Sequence, residues 1–246
     1  MDNKKEKLED FKIAISSTVK SLSNSEKTEV NFGDQISVEK NSIKLPNIEY
    51  FNDKINYEEV RAIADSKSLK VRFSDKEILK KFEPKGVISK KLYEISEKIR
   101  CEKIGTDYFK GIKKNIERYY YQRLSGLDFK SSEDKVVESF ENFLRVKFLD
   151  FKNNSQIDKK LKSYKKNFKI KFDKKILELR SFTLDQEKYN SVISELISEM
   201  GLDENLDEDQ NKDDKNKENE KQSKARDQEL KTEEKKEKQD EMSINS

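Results

Sequence analysis

Residues 88–124, ISKKLYEISEKIRCEKIGTDYFKGIKKNIERYYYQRL, decide the fold. Ile88, Leu92, Ile95 and Ile99 recur at helical spacing and lead on to Ile104, Tyr108, Ile112, Ile116 and Tyr119. Apolar side chains three or four residues apart share one face of an α-helix, so the stretch predicts one long helix ending near Leu124. Ser125–Gly126 follows as a stop. The apolar stripe slips once, between Ile99 and Ile104. Glu102 falls there where an apolar side chain is due, and Gly105 comes just after. The expectation is a kink or change of phase at Gly105, with Glu102 tilted to solvent. The alternative is that Glu102 is a polar group held at a helix contact. Tyr119–Tyr120–Tyr121 cannot all face one side of a helix. At least one of them is therefore exposed or packs on another element, and interhelical packing is preferred over an aromatic platform for a ligand.

Other segments on both sides carry the same periodicity. Leu8, Phe11, Ile15, Val19 and Leu22 form an opening helix, and Tyr57, Val60, Ala64 and Val71 a second. The small residues Ala62, Ala64, Ser66 and Ser68 let another helix approach the second closely. Ser74–Asp75 caps a short helix reaching Phe82, before a break at Pro84–Gly86. Val137, Phe140, Leu144, Phe148 and Phe151 follow a capping-box pattern at Ser131–Asp134. Ile157, Leu161, Tyr164, Phe168, Phe172, Ile176 and Leu179 form a further helix, with Phe168–Phe172 also alternating as a strand would. Thr183 with Gln186 reads as a second capping box, opening a helix through Tyr189, Ile193, Leu196 and Met200 that Gly201 ends. Between the first two helices, Thr28–Phe32, Ile36–Glu39 and Ile43–Leu45 alternate around Gly33–Asp34, which predicts a small β-ribbon. The fold class is mainly α: one domain over residues 1–202, of about seven helices and a ribbon near the N-terminus.

The remainder reads differently. Residues 203–246 contain sixteen acidic and ten basic residues and no aromatic, so this segment carries −6. With a chain total of +3, the rest carries +9. The tail has almost nothing to bury and is expected to be disordered. In the body, Lys is interleaved with Glu and Asp on every helix, the pattern of a solvated face, and forms no basic block. That weakens a nucleic-acid reading of the charge. A basic helical nucleic-acid-binding module, or a generic protein-interaction module, stays open as the alternative function.

Several chemistries find no motif in the sequence. It has no His, and Cys101 is its single cysteine. Neither a Ser–His nor a Cys–His pair can be assembled, and no Cys/His cluster offers a zinc site. No phosphate-cradling glycine loop is present. Asp65-Ser66-Lys67-Ser68 approaches the D-x-S-x-S metal signature of integrin-type domains, but its serines stand one place too early and inside a helical pattern. Packing is the better reading there. No apolar run reaches membrane-spanning length, and Met1 to Asp10 shows no signal peptide, so a cytoplasmic address is expected.

A set of short stretches, in colinear order over residues 8–205, resembles the N-terminal region of the cobaltochelatase T subunit. They are Phe11–Lys12, Glu29-Val30-Asn31-Phe32-Gly33, Leu45–Pro46, Ala64-Asp65-Ser66 with Leu69, and Pro84 with Gly86. Then come Arg100, Glu102, Ile104–Gly105, Gly111–Ile112, Asn115, Arg118–Tyr119 and Met200–Gly201. The resemblance implies a non-catalytic subunit of an ATP-dependent chelatase. That complex inserts cobalt into a corrin precursor, hydrogenobyrinic acid a,c-diamide, on the aerobic route to cobalamin. It implies two partners, a ring-forming AAA+ ATPase subunit and a large tetrapyrrole-binding subunit, in a complex using ATP, Mg and Co. This chain is expected to bind none of these cofactors by itself. The family's C-terminal integrin-like (VWA) domain, which carries its metal site, is not in this sequence, so that function does not carry over. Arg100, Glu102, Gly105, Arg118 and Tyr119 are the positions the resemblance marks for an interface with the ATPase partner. Their alternative use is salt bridging and packing within the chain.

Overall fold

The computed structural model describes residues 2–38, 42–48, 50, 51, 54–126, 131–152, 154, 155, 159, 168 and 172–202. Eight helices occur among them: α1 (Asp2–Ser23), α2 (Tyr57–Phe73), α3 (Lys76–Lys81), α4 (Val87–Tyr108), α5 (Ile112–Ser125), α6 (Ser132–Phe148), α7 (Ile176–Ser181) and α8 (Gln186–Ser198). A three-stranded sheet near the N-terminus joins β1 (Glu29–Gly33), β2 (Ser37–Val38) and β3 (Ser42–Pro46). The fold is mainly α with a small sheet, as predicted. The charged segment 203–246 and most of the predicted 157–179 helix lie outside the described residues. Phe168 and Phe172, inside that stretch, are both helical and buried, and pack edge-on against Phe140 of α6.

α4 is the axis of the body and is flanked by α2, α5, α6 and α8. Because neighbours cover more than one of its sides, a single apolar stripe cannot describe it. Glu97, Arg100 and Glu102 are buried along with Leu92, Ile99 and Ile104. The slip in the stripe thus marks a second buried face. The expected break at Gly105 is absent: α4 runs through it, and the Phe109 N–H donates to the Gly105 carbonyl at 2.9 Å. Glu102 does not reach solvent, being fully buried.

The predicted long helix is instead two. α4 ends at Tyr108 and α5 starts at Ile112, with Gly111 between them at φ +103°. An L side chain rarely adopts that backbone conformation, whereas glycine does so freely. No neighbour lies within 4 Å of the place its Cβ would occupy, so conformation alone requires glycine here. Gly111→Ala should therefore cost about 1 kcal/mol, read as a lower urea midpoint with an unchanged slope.

Local signals set the other ends. Asp75 accepts from the Glu77 and Ile78 N–H groups and caps α3, and Ser131 accepts from the Asp134 N–H and caps α6. The predicted cap at Thr183 is displaced to Asp185, which accepts from the Lys188 N–H. The Thr183 hydroxyl turns back to the Arg180 carbonyl instead. Gln186 is taken up by a tertiary contact, bonding both backbone polar groups of Asp75 at 2.7 and 2.9 Å. Gly201 takes φ +58° just beyond α8.

The sheet differs in topology from a simple ribbon. β3 lies in the centre, parallel to β1 and antiparallel to β2, so the turn at Gly33–Asp34 does not pair the strands it joins. A second pairing, β4 (Tyr50–Phe51) with β5 (Lys54–Ile55), gave no sequence signal because each strand is two residues long. Ile43 and Leu45 of β3 join Ile15 and Val19 of α1 and Val60 and Ala64 of α2 in one cluster, fixing the sheet to the helices.

Candidate functional site: a charged cleft among four helices

The four predicted small positions of α2, Ala62, Ala64, Ser66 and Ser68, are all buried against its neighbours. Ser66 donates a 2.6 Å hydrogen bond to one oxygen of Glu102 on α4. The other oxygen of Glu102 pairs with Arg145 of α6 at 2.6 Å. Arg145 also pairs with Glu141, one helical turn back, at 2.7 Å. Glu141 reaches Arg123 of α5 at 3.1 Å and Lys98 of α4 at 3.4 Å, and Arg123 pairs with Glu138 at 2.6 Å. One ion network therefore ties α2, α4, α5 and α6 together. The Arg145 guanidinium lies 4.7 Å from the Tyr120 ring centroid, a cation–π contact that covers its other face.

The electrostatics follow from crowding. Burial pushes the Glu141 carboxyl up, but the charges of Lys98, Arg145 and Arg123 outweigh it and hold the group well below the usual carboxylate range. Burial likewise opposes the charge on Arg145, and Glu102 with Glu141 override it, keeping the guanidinium protonated. A depressed carboxylate contributes stability in full above its unfolded pKa, about 4.3, and loses it as pH falls through the folded value. Glu141→Gln should accordingly melt below wild type at neutral pH. The gap should close on acidification below about pH 4, which melting curves over a pH series would show.

A second buried pair lies further along α4. Arg100 holds Glu97 at 2.8 Å and donates to the carbonyls of Phe73, at the end of α2, and Thr183, ahead of α8. Cys101 sits against this pair, its thiol pushed well up by burial and by the Glu97 charge. Asp65 on α2 is buried between Arg61, at 2.9 Å, and the Asn115 amide on α5. Burial raises its carboxyl, with Asn115 and Arg61 pulling the other way. The near-match to a metal signature is thus a helix-packing segment.

Of the five positions marked for an interface, Arg100, Glu102 and Gly105 lie inside the body, and their partners are within the chain. Gly105 faces Leu69 of α2 so closely that an added Cβ would stand 2.3 Å from Leu69 Cδ2. Arg118 and Tyr119 lie on α5. Arg118 is about half exposed and pairs with Glu58, while Tyr119 is partly buried in the cleft described next. Tyr120 is buried, and Tyr121 donates to the Lys152 carbonyl, so the tyrosine run serves packing between elements.

Between α2, α4, α5 and α6 opens a cleft of about 510 Å³. Ile63, Ile95, Ile116 and Val137 supply apolar walls, and lysines from α2 and α4 line it as well. Sequence reasoning did not find Glu141, Arg145 or Arg123. Glu141 and Arg145 sit at i and i+4, the spacing of an exposed pair. The signal available was residue type: eight of the 53 basic residues are Arg, and Arg100 and Arg145 are both almost fully buried. Arginine is the cation suited to buried, multiply bonded pairs.

A helical body braced by buried ion pairs and holding an open charged cleft defines a class: an α-helical scaffold able to present surfaces and a ligand-sized pocket. No helix among the described residues is long and apolar enough to cross a membrane, and no group of three or more Cys, Asp or Glu side chains there is placed to hold a metal. The family model for cobalamin biosynthesis protein CobT matches residues 5–246, and the chain belongs to that family. Membership gives the chain a part in cobalamin biosynthesis. No curated protein and no solved structure shows a significant match.

Proposed function

We propose that the chain is a non-catalytic assembly subunit of an ATP-dependent cobaltochelatase, the cytoplasmic complex that inserts cobalt, as substrate, into hydrogenobyrinic acid a,c-diamide. Its partners are an AAA+ ATPase subunit, using ATP and Mg, and a large subunit that holds the tetrapyrrole. The observation that carries this reading is the family match over nearly the whole chain. The architecture supports it. α4 is pinned to α2, α5, α6 and the α8 end by buried charges, which suits a rigid body that transmits force between partners. Arg118 and Tyr119, side by side on α5, are the two marked residues with surface to offer.

The test is co-purification of the full chain with the AAA+ subunit, with and without ATP and Mg. A stable complex is expected, weakened by Arg118→Ala, whose side chain is about half exposed, at unchanged melting temperature. The chain alone should show neither ATP hydrolysis nor cobalt insertion. Failure to associate under all conditions, or turnover by the purified chain, overturns the reading.

A further inference from the structure

The cleft carries more positive charge than its own network uses. Arg145 and Arg123 are met by Glu102, Glu141 and Glu138, and Lys98 by Glu141. Lys91, at the rim, pairs with Glu133. Lys67 and Lys70, one turn apart on α2, line the same cleft and make no ion pair among the described residues. Lys67 is partly buried, and its ammonium is held below its ordinary pKa first by burial, then by Lys70 and Lys98. Glu102 and Glu94 pull the other way; Glu102 is already bound by Arg145 and Ser66, and Glu94, which also lines the cleft, leaves two lysines to one carboxylate and is in ion-pair contact with neither. A cation kept in such a place without a partner costs stability, and an arriving anion removes that cost.

The walls narrow the chemistry. Ile63, Ile95, Ile116 and Val137, with Tyr119, form a concave apolar surface beside the lysines. The volume lies in the range of small-molecule sites. Apart from Ile36, between β1 and β2, the lining comes from the sides of four helices, so no helix N-terminus offers the backbone N–H groups that favour phosphate. A duplex backbone is held by several cations spread along its phosphates, which a pocket of this size does not provide.

We propose that this cleft binds a small amphipathic polycarboxylate, its apolar body against the isoleucines and its carboxylates on Lys67 and Lys70, with Lys98 opposite. The site stands whether or not the assembly role holds, since Lys67 and Lys70, on which its test turns, are distinct from Arg118 and Tyr119, and neither association nor turnover enters that test.

The probe is pyrenetetracarboxylate, titrated by fluorescence into the full chain. Saturable one-to-one binding is expected. Lys67→Met with Lys70→Met should weaken it about tenfold or more while leaving the melting temperature equal or higher, because a partly buried unpaired charge has gone. Lys110→Met with Lys114→Met, an equal change of net charge on exposed residues outside the cleft, should leave affinity unchanged. Equal losses in the two double variants would mean non-specific attraction and overturn the site. So would an absence of binding, or displacement of the probe by inorganic pyrophosphate or duplex DNA at concentrations no higher than its own.

Discussion

Arg145→Met is expected to destabilise the helical body by about 3–5 kcal/mol. Arg145 is buried with Glu102 and Glu141, and the two carboxylates do not lose it equally. Glu141 keeps Arg123 and Lys98. Glu102 keeps only the Ser66 hydroxyl as a bonded partner, with Lys67 near but not in contact, so a negative charge would remain in the interior without a bonded cation. Breaking a buried pair by removing one partner is far costlier than removing both. Arg145→Met combined with Glu102→Gln should therefore recover most of the loss, the amide still accepting from Ser66. Urea unfolding of the two single variants and the double closes the cycle. A loss below about 1 kcal/mol in the first variant would place the pair in the exposed class and refute the buried network.

The same network shows how far the sequence could be read. Helix periods were legible where one face meets the core, as in α1, α6 and α8, and caps were legible at Asp75 and Ser131, where side chain and backbone are neighbours in sequence. α4 was misread because it is covered on several sides, which turns Glu97, Arg100 and Glu102 inward and makes the stripe look broken. The division of α4 from α5 was hidden because Tyr108, Ile112 and Ile116 keep the helical spacing across Gly111, although Tyr108 itself is exposed. Gln186 kept its capping-box position, yet its side chain answers to Asp75, more than a hundred residues away in sequence, which no local rule can register. The cleft was the least legible feature. Its lysines are spaced like those of any solvated helix face, and only the folded arrangement shows which of them lack a carboxylate.

Gly105→Ala tests whether α4 and α2 meet as closely as their backbones indicate. In an exposed helix interior the change would help, since alanine is favoured over glycine by roughly 1 kcal/mol. Here the new methyl would stand 2.3 and 2.4 Å from the two methyls of Leu69 and 2.9 Å from its Cγ. Leu69 is fully buried, so its side chain has no open space to swing into, and α2 must move or the leucine must leave its rotamer. Overpacking of this kind costs about 1–3 kcal/mol, so the net effect is expected to be destabilising. A second substitution identifies the cause. Leu69→Ala alone should destabilise through the cavity it leaves. In the Gly105→Ala background it should cost much less, because the added methyl occupies part of that cavity. The coupling between the two, read from melts of both singles and the double, should therefore be strongly favourable. In the assembly proposed above, binding of the AAA+ subunit by Gly105→Ala should fall only as far as folding does, since Gly105 lies at an internal contact. Additive melts would show that Leu69 is not what Gly105 accommodates, and a stabilised Gly105→Ala would show that the two helices stand further apart than this.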